Sequence, residues 1–321
     1  MTTIWLSSIV SRGDHRLVPV EPWVDTRRWP LRTATGHAVA QRDCTDDRLD
    51  MVLRGLNDDT CWTAFESALH QQTVRVYELP TARLHVESPS ASADTTVTDA
   101  GLLPCGHSQD HRPDLPHVKG MQAVLDPLGL PLATEVVAGA RADDPLYIPC
   151  IQRVQASLGR CGLLYVGDCK MASRETRAFI AGQGDFYLCP LPQVQLAEGE
   201  LDEALEAVWS GKQALSPVFR HQQDGTLERI AEGYERQGAM SMEVAGQLQN
   251  WMERRLVVRS VRHAQAAEKA LRARVANAMA QIEALNQRGR GKKHFEEVSA
   301  LRQAVVAIVQ RYGVEAFLWL R

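Results

Sequence analysis

No run of about 18 consecutive apolar residues occurs in the chain, which argues against a helical membrane span. No basic stretch leads into an apolar one at the N-terminus, so a secretion signal is not expected. No C-x-x-C pair occurs either. Cys44, Cys61, Cys105, Cys150, Cys161, Cys169 and Cys189 form an odd, scattered set. They read as reduced thiols of a cytosolic protein and speak against a zinc site. A strong net charge is also missing: −3 for the whole chain points to no particular partner. What remains, 45% hydrophobic and 23% charged residues over 321 positions, suits one large globular domain or two smaller ones.

The small net charge hides an asymmetry. Residues 253–321 hold 14 Lys/Arg against 6 Asp/Glu, a net of +8, whereas residues 1–252 carry 22 against 33, a net of −11. A basic C-terminal element of this kind either meets an anionic partner or is a solvated face balancing an acidic body.

The opening segment, residues 1–79, reads as helical. Asp46 and Asp47 precede apolar spacing at Leu49, Leu53 and Leu56, and Asp58-Asp59 opens a second helix with Trp62, Phe65 and Leu69 on one face. Acidic residues at a helix start suit the positive end of its dipole. Strand-like text follows. Val74–Leu79 is short and β-prone, and Leu84–Ser88 is a strand broken by Pro89. Val118–Leu125 and Leu132–Ala138 flank the turn signal Asp126-Pro127-Leu128-Gly129 and read as a hairpin. Asp144 as N-cap with Pro145 at the first helical position predicts a helix through Leu158. Leu163–Gly167 is a buried strand, Ser173–Ala181 a helix and Phe186–Cys189 a last short strand. A hairpin followed by α/β crossovers predicts an α/β fold: a mixed sheet with flanking helices.

Beyond Pro190-Leu191-Pro192 the character changes. Glu198–Trp209 is helical, and Val218–Ile230 has room for short strands around Asp224-Gly225. Val261, Ala264, Ala267, Leu271, Val275, Met279, Ile282 and Leu285 form a helical stripe. A break, Arg288-Gly289-Arg290-Gly291-Lys292-Lys293, leads to a second helix near Phe295–Gln310, so a helical hairpin is expected. Ala316–Leu320 reads as a strand that lacks a partner, as if the text were interrupted.

Asp168 is the first candidate for chemistry, because a carboxylate just past an apolar strand faces the crevice where α/β sheets bind ligands. Its plainer role is to cap the next helix. Glu87, within Leu84–Ser88, is the second. Carboxylates on adjacent strands suit Mg²⁺, and paired ions of that kind serve phosphoryl transfer. Read alone, Glu87 is an exposed strand residue. The loop Gly106–Asp114 crowds His107, Asp110, Arg112 and Asp114 together. It either contacts phosphate or supports a charged site, or it is a structural turn in which Arg112 and Asp114 pair.

Four segments in order, HVES, GHSQDHRPDLPHVK, LPLATEVVAGARADD and GLLYVGDCKMASRETRAF, resemble the DDE-type transposases of a bacterial insertion-sequence family. The resemblance is strongest over residues 84–191. It implies a ribonuclease-H-like catalytic core over residues 80–191, after the helical segment 1–79 and before an insertion region, residues 192–321, with the basic helical hairpin. It also implies an Asp, Asp, Glu triad holding two Mg²⁺ (or Mn²⁺) ions, with catalytic and metal roles falling here on Glu87 and Asp168. Asp168 matches the second acid. Glu87 stands where the family has Asp, and Pro89 where it has a small hydroxyl residue; Asp94 does not match the position. The third acid should follow the insertion, and neither Glu296, Glu297 nor Glu315 matches it.

The resemblance therefore implies a transposase-derived protein, truncated and inactive as it stands. The parent activity is Mg²⁺-dependent cleavage and transfer of DNA strands at insertion-sequence ends. The partners would be DNA, ends and target alike, with a homodimer allowed and no membrane, in a bacterial, nucleoid-associated cytoplasmic setting. The residues expected to meet DNA are Arg254, Arg255, Arg259, Arg262, Arg272, Arg274, Arg288, Arg290, Lys292 and Lys293. Two alternatives stay open: a non-catalytic DNA-binding or dimerising remnant, and a metal-dependent nuclease with a different acid set.

Overall fold

The structure, a computed structural model, describes residues 1–94, 97, 101–105, 112, 114–244, 246–287 and 294–318. It divides into two compact units, residues 1–195 with 241–251, and residues 196–240 with 252–321.

The first unit begins with helices α1 (Thr2–Arg12), α2 (Val20–Asp25), α3 (Arg28–Thr35), α4 (Asp46–Leu56) and α5 (Asp59–Val76). Ile4, Val20, Trp23, Val24, Leu31, Cys44 and Leu49 bury a small core among the first four. The aspartates act as expected: Asp46 and Asp47 occupy the first turn of α4, and the Asp58 carboxylate caps α5 by accepting from the Cys61 N–H at 2.9 Å. The strand expected at Val74–Leu79 is instead the end of α5 and the turn after it. Its apolar residues are explained by packing: Val74 and Leu79 lie against the main core.

That core belongs to a mixed sheet. Strand β1 (Arg83–Glu87) continues after the Pro89 interruption as β2 (Ser90–Ser92), and both pair antiparallel with β3 (His117–Leu125). β3 turns into β4 (Leu130–Ala138) as the hairpin signal predicts. Helix α6 (Asp144–Leu158) then delivers β5 (Leu164–Gly167) parallel to β1, and α7 (Arg174–Gly182) delivers β6 (Phe186–Leu188) parallel to β5. The order across the sheet is β4, β3, β1 with β2, β5, β6. This mixed α/β arrangement is compatible with a ribonuclease-H-like fold.

Alternation decides what each strand buries. In β3 every second residue from His117 is buried, and Leu84 and Val86 face the same core from β1. Helix α6 covers that face with Leu146, Tyr147, Ile151 and Val154. Its N-cap is Asp143, one residue before the position expected, with Asp144 opening the helix. The Asp143 side chain makes no cap bond because it is engaged elsewhere.

In the second unit, α8 (Glu200–Trp209) is followed by β7 (Ser216–His221), β8 (Leu227–Val244) and β9 (Gln247–Ser260), a three-stranded sheet. The end of β8 from Ser241 and the start of β9 to Trp251 belong to the first unit, where the Trp251 indole N–H donates to the Tyr187 hydroxyl at 2.8 Å. Short strands were expected near Asp224-Gly225, but β8 is far longer, and β9 reaches to the first residue of the expected basic helix. Helices α9 (Val261–Ala284) and α10 (Val298–Tyr312) form the expected hairpin around Ala278, Val305, Val309 and Val314. Val275, Ala278, Ile282 and Leu285 carry the inward stripe, whereas Met279 is exposed. Glu315–Phe317 is a turn rather than the beginning of a strand.

One ion pair fastens α5 to the sheet layer. The buried Glu66 carboxylate meets the Arg153 guanidinium from α6 and the Thr134 hydroxyl from β4. Removing one partner of a buried pair strands the other charge. Glu66→Ala is therefore expected to lower unfolding free energy by about 3 kcal/mol in a urea titration. A loss under about 0.5 kcal/mol would show the pair to be solvated.

Candidate functional site

The parallel register of β1 and β5 pairs Val86 with Gly167. The next residue of each segment is Glu87 and Asp168, and adjacent strands run about 5 Å apart. Both carboxylates are exposed and line one cleft with His85, Ser88, Pro89, Val166 and Gly167. Glu87 shares its strand face with His85, opposite Leu84 and Val86, because side chains alternate. Asp168 begins the tight turn Asp168–Met171. A Cβ at Gly167 would come within 2.7 Å of the Met171 sulfur, so a larger residue there would force that buried side chain to shift.

Asp168 does not cap the following helix. That cap is Ser173, whose Oγ accepts from the Thr176 N–H at 3.2 Å. Asp168 Oδ1 instead accepts two hydrogen bonds, from the Tyr147 hydroxyl at 2.9 Å and from the Lys170 N–H at 2.9 Å. The other oxygen, Oδ2, accepts none among the described residues. Burial and the bond to Asp168 push the Tyr147 phenol well above its ordinary pKa, so it remains a proton donor to the carboxylate at neutral pH.

Two carboxylates at the ends of neighbouring strands fit a hard divalent cation in donor chemistry. Among the described residues no cluster of three His, Cys, Asp or Glu side chains is placed to hold a metal ion. Of the polar loop, His107 and Asp110 lie outside the described residues. Arg112 grips Asp114 through Nε at 2.9 Å and Nη2 at 2.7 Å, the local pairing that a structural turn would use.

The basic residues divide in a way the sequence does not reveal. Arg254, Arg255 and Arg259 lie on β9, not on a helix. Arg254 pairs with Glu235 at 2.6 Å, Arg259 with Glu232 at 3.1 Å, and Arg255 with Glu253 and Glu200. On α9, Arg272 pairs with Glu268 at 2.5 Å, and Arg274 donates to the Tyr312 carbonyl at 3.3 Å. Arg262 and Lys269 are exposed and unpaired among the described residues. Arg288, Arg290, Lys292 and Lys293 lie outside those described.

A cluster behind the cleft escaped the sequence reading. Asp143 Oδ1 accepts from Lys119 Nζ at 2.7 Å and from Ser88 Oγ at 3.0 Å, and Oδ2 meets Lys170 Nζ. Lys119 also donates to the Arg141 carbonyl at 2.6 Å. The one local clue is that Lys119 falls in phase with the apolar face of β3. Tyr147 offered no clue beyond its helical spacing.

No family model and no curated protein matches this sequence. Among solved structures, a piggyBac transposase synaptic complex with hairpin DNA is similar at a TM-score of 0.30 and 9% identity, over 69% of this chain and 46% of that one. The chain thus spans under half the length of that transposase chain, and a likeness this slight carries no argument about chemistry. Among the described residues no helix is long and apolar enough to cross a membrane.

Burial alone would raise the Asp143 pKa, but hydrogen bonds from Lys119, Lys170 and Ser88 outweigh it and hold the carboxyl below its ordinary value. A folded pKa below the unfolded one gives stability that is present above about pH 4 and is lost as pH falls through the folded value. Asp143→Asn should cost about 2 kcal/mol at pH 7, with the gap to the parent closing below pH 4. Urea titrations from pH 2 to 7 measure it, and a pH-independent gap would contradict the ionic role.

Proposed function

We propose that the chain is transposase-derived and that its first unit contains a ribonuclease-H-like nuclease core. The observation that carries this reading is the placement of Glu87 and Asp168. They sit at the carboxyl ends of the central strand and its parallel neighbour, in a sheet of three antiparallel strands followed by two helix-delivered parallel ones. The matched segments HVES and GLLYVGDCKMAS supply these two strands.

In this reading Glu87 and Asp168 hold a divalent cation, Mg²⁺ or Mn²⁺. Such an ion, when bound, supplies positive charge where a phosphoryl oxygen gains negative charge. Tyr147 and the Lys170 N–H orient Asp168 by occupying one oxygen and directing the other outward. Glutamate at position 87 reaches one methylene further than the aspartate of the resembled family, which shifts its oxygens by roughly an ångström. With two carboxylates rather than three among the described residues, affinity is weak and strand transfer is not supported. Losing a preorganised charge of this kind costs several kcal/mol of transition-state stabilisation, hence orders of magnitude in rate.

The direct test is Mn²⁺- and Mg²⁺-supported cleavage of insertion-sequence-end DNA, with Asp168→Asn as the control. The expected result is no strand transfer by either protein. Robust cleavage that Asp168→Asn abolishes would mean that a third acid acts within these 321 residues.

A non-catalytic DNA-binding reading is favoured by Arg262 and Lys269 on α9, which are exposed and unpaired among the described residues. Each phosphate that a protein neutralises steepens the fall of affinity with salt by about one logarithmic unit. Replacing both residues with alanine should flatten the salt slope of duplex-DNA binding by about two. An unchanged slope would leave α9 as a solvated face.

A further inference from the structure

Asp143 stands at a helix N-cap position yet spends its carboxylate on three side chains far from it in sequence. Two of them adjoin the candidate site. Ser88 directly follows Glu87 and turns to the buried face of β1, while Glu87 is exposed on the other. Lys170 lies two residues beyond Asp168 and is joined to it through its own N–H, while its ammonium reaches Asp143. Lys119 fixes the same carboxylate from β3, the antiparallel neighbour of β1. Asp143 thus ties together, from behind the cleft, the two backbone segments that carry the exposed carboxylates.

A buried ionic cluster does not outdo an apolar one in stability. What it adds is fixed geometry, since both oxygens of one carboxylate set the directions of their partners. Sites that must share an ion need their ligands held within about 0.5 Å. We propose that Asp143 is a positioning residue that sets the spacing of Glu87 and Asp168 for a shared divalent cation, with Lys170 as the arm that transmits it to Asp168. The inference rests on the reading of Glu87 and Asp168 as a cation site.

The experiment is Mn²⁺ binding to the full chain, followed by the loss of the free-ion paramagnetic resonance signal, with thermal melting alongside. The proteins are the parent, Asp168→Asn, Asp143→Asn and Lys170→Met. Lys170→Met guards against a folding failure of Asp143→Asn, because Lys170 is partly exposed and leaves Asp143 its bonds to Lys119 and Ser88. It also separates positioning from simple electrostatics. Removing a positive charge near a cation should tighten binding by Coulomb's law, whereas loss of positioning should weaken it. The expected result is that Asp168→Asn abolishes binding, while Asp143→Asn and Lys170→Met weaken it about tenfold or more, as loss of an outer support commonly does. Lys170→Met should melt close to the parent. Equal or tighter binding by Lys170→Met, with Asp168→Asn still abolishing it, would overturn the positioning role alone. A parent that binds no Mn²⁺, or an Asp168→Asn that binds as the parent does, would overturn the cation site and the positioning role together.

Discussion

The candidate site depends on one pairing: β1 and β5, parallel and adjacent. Parallel strands cannot be joined by a tight turn, so the chain must leave the sheet and return through a covering layer. Helix α6 is that layer here, and it does two jobs. Its apolar face joins the same buried core as Leu84, Val86 and Tyr165 of the two strands. Its first turns carry Asp143 and Tyr147 to the strand ends, where one meets Ser88 and Lys170 and the other meets Asp168. Hydrophobic packing and polar positioning therefore come from the same helix. The pair of strands is shared in turn: β1 also pairs with β3, which brings Lys119 to the same point.

Much of this architecture is legible locally. Alternation, turn residues and capping signals are short-range, and they mark β1, the β3–β4 hairpin, α6, β5 and α7 within a residue or two. The strand-end positions of Glu87 and Asp168 are legible for the same reason, as each follows apolar strand text directly. The end of α5 reads as a strand because β-branched Val74 and Val76 suit strands, yet a helix already propagating continues through them when its neighbours supply packing. The length of β8 and β9 is hidden in the sequence for a related reason. Their burial is shallow, and arginines and glutamates pair across the sheet, so little apolar text marks them as strands.

The Asp143 cluster was beyond local reading altogether. Asp143 is 55 residues from Ser88 and 27 from Lys170, and only the folded topology brings them together. The same holds for the arginines of β9. By sequence they add to a net positive segment, but in the fold Glu200, Glu232, Glu235 and Glu253 oppose them. Net charge along a chain thus overstates the field that a partner would meet, and the exposed Arg262 and Lys269 matter more than the count around them.

The proposed function requires Glu87 and Asp168 to form one cation site at the ends of adjacent strands. The most direct measurement is anomalous diffraction from crystals of the full chain soaked in Mn²⁺. A shared site gives an anomalous peak between the two carboxylates, within about 2.5 Å of an oxygen of each. A well-ordered cleft without a peak, or a peak bound by other residues, would contradict it.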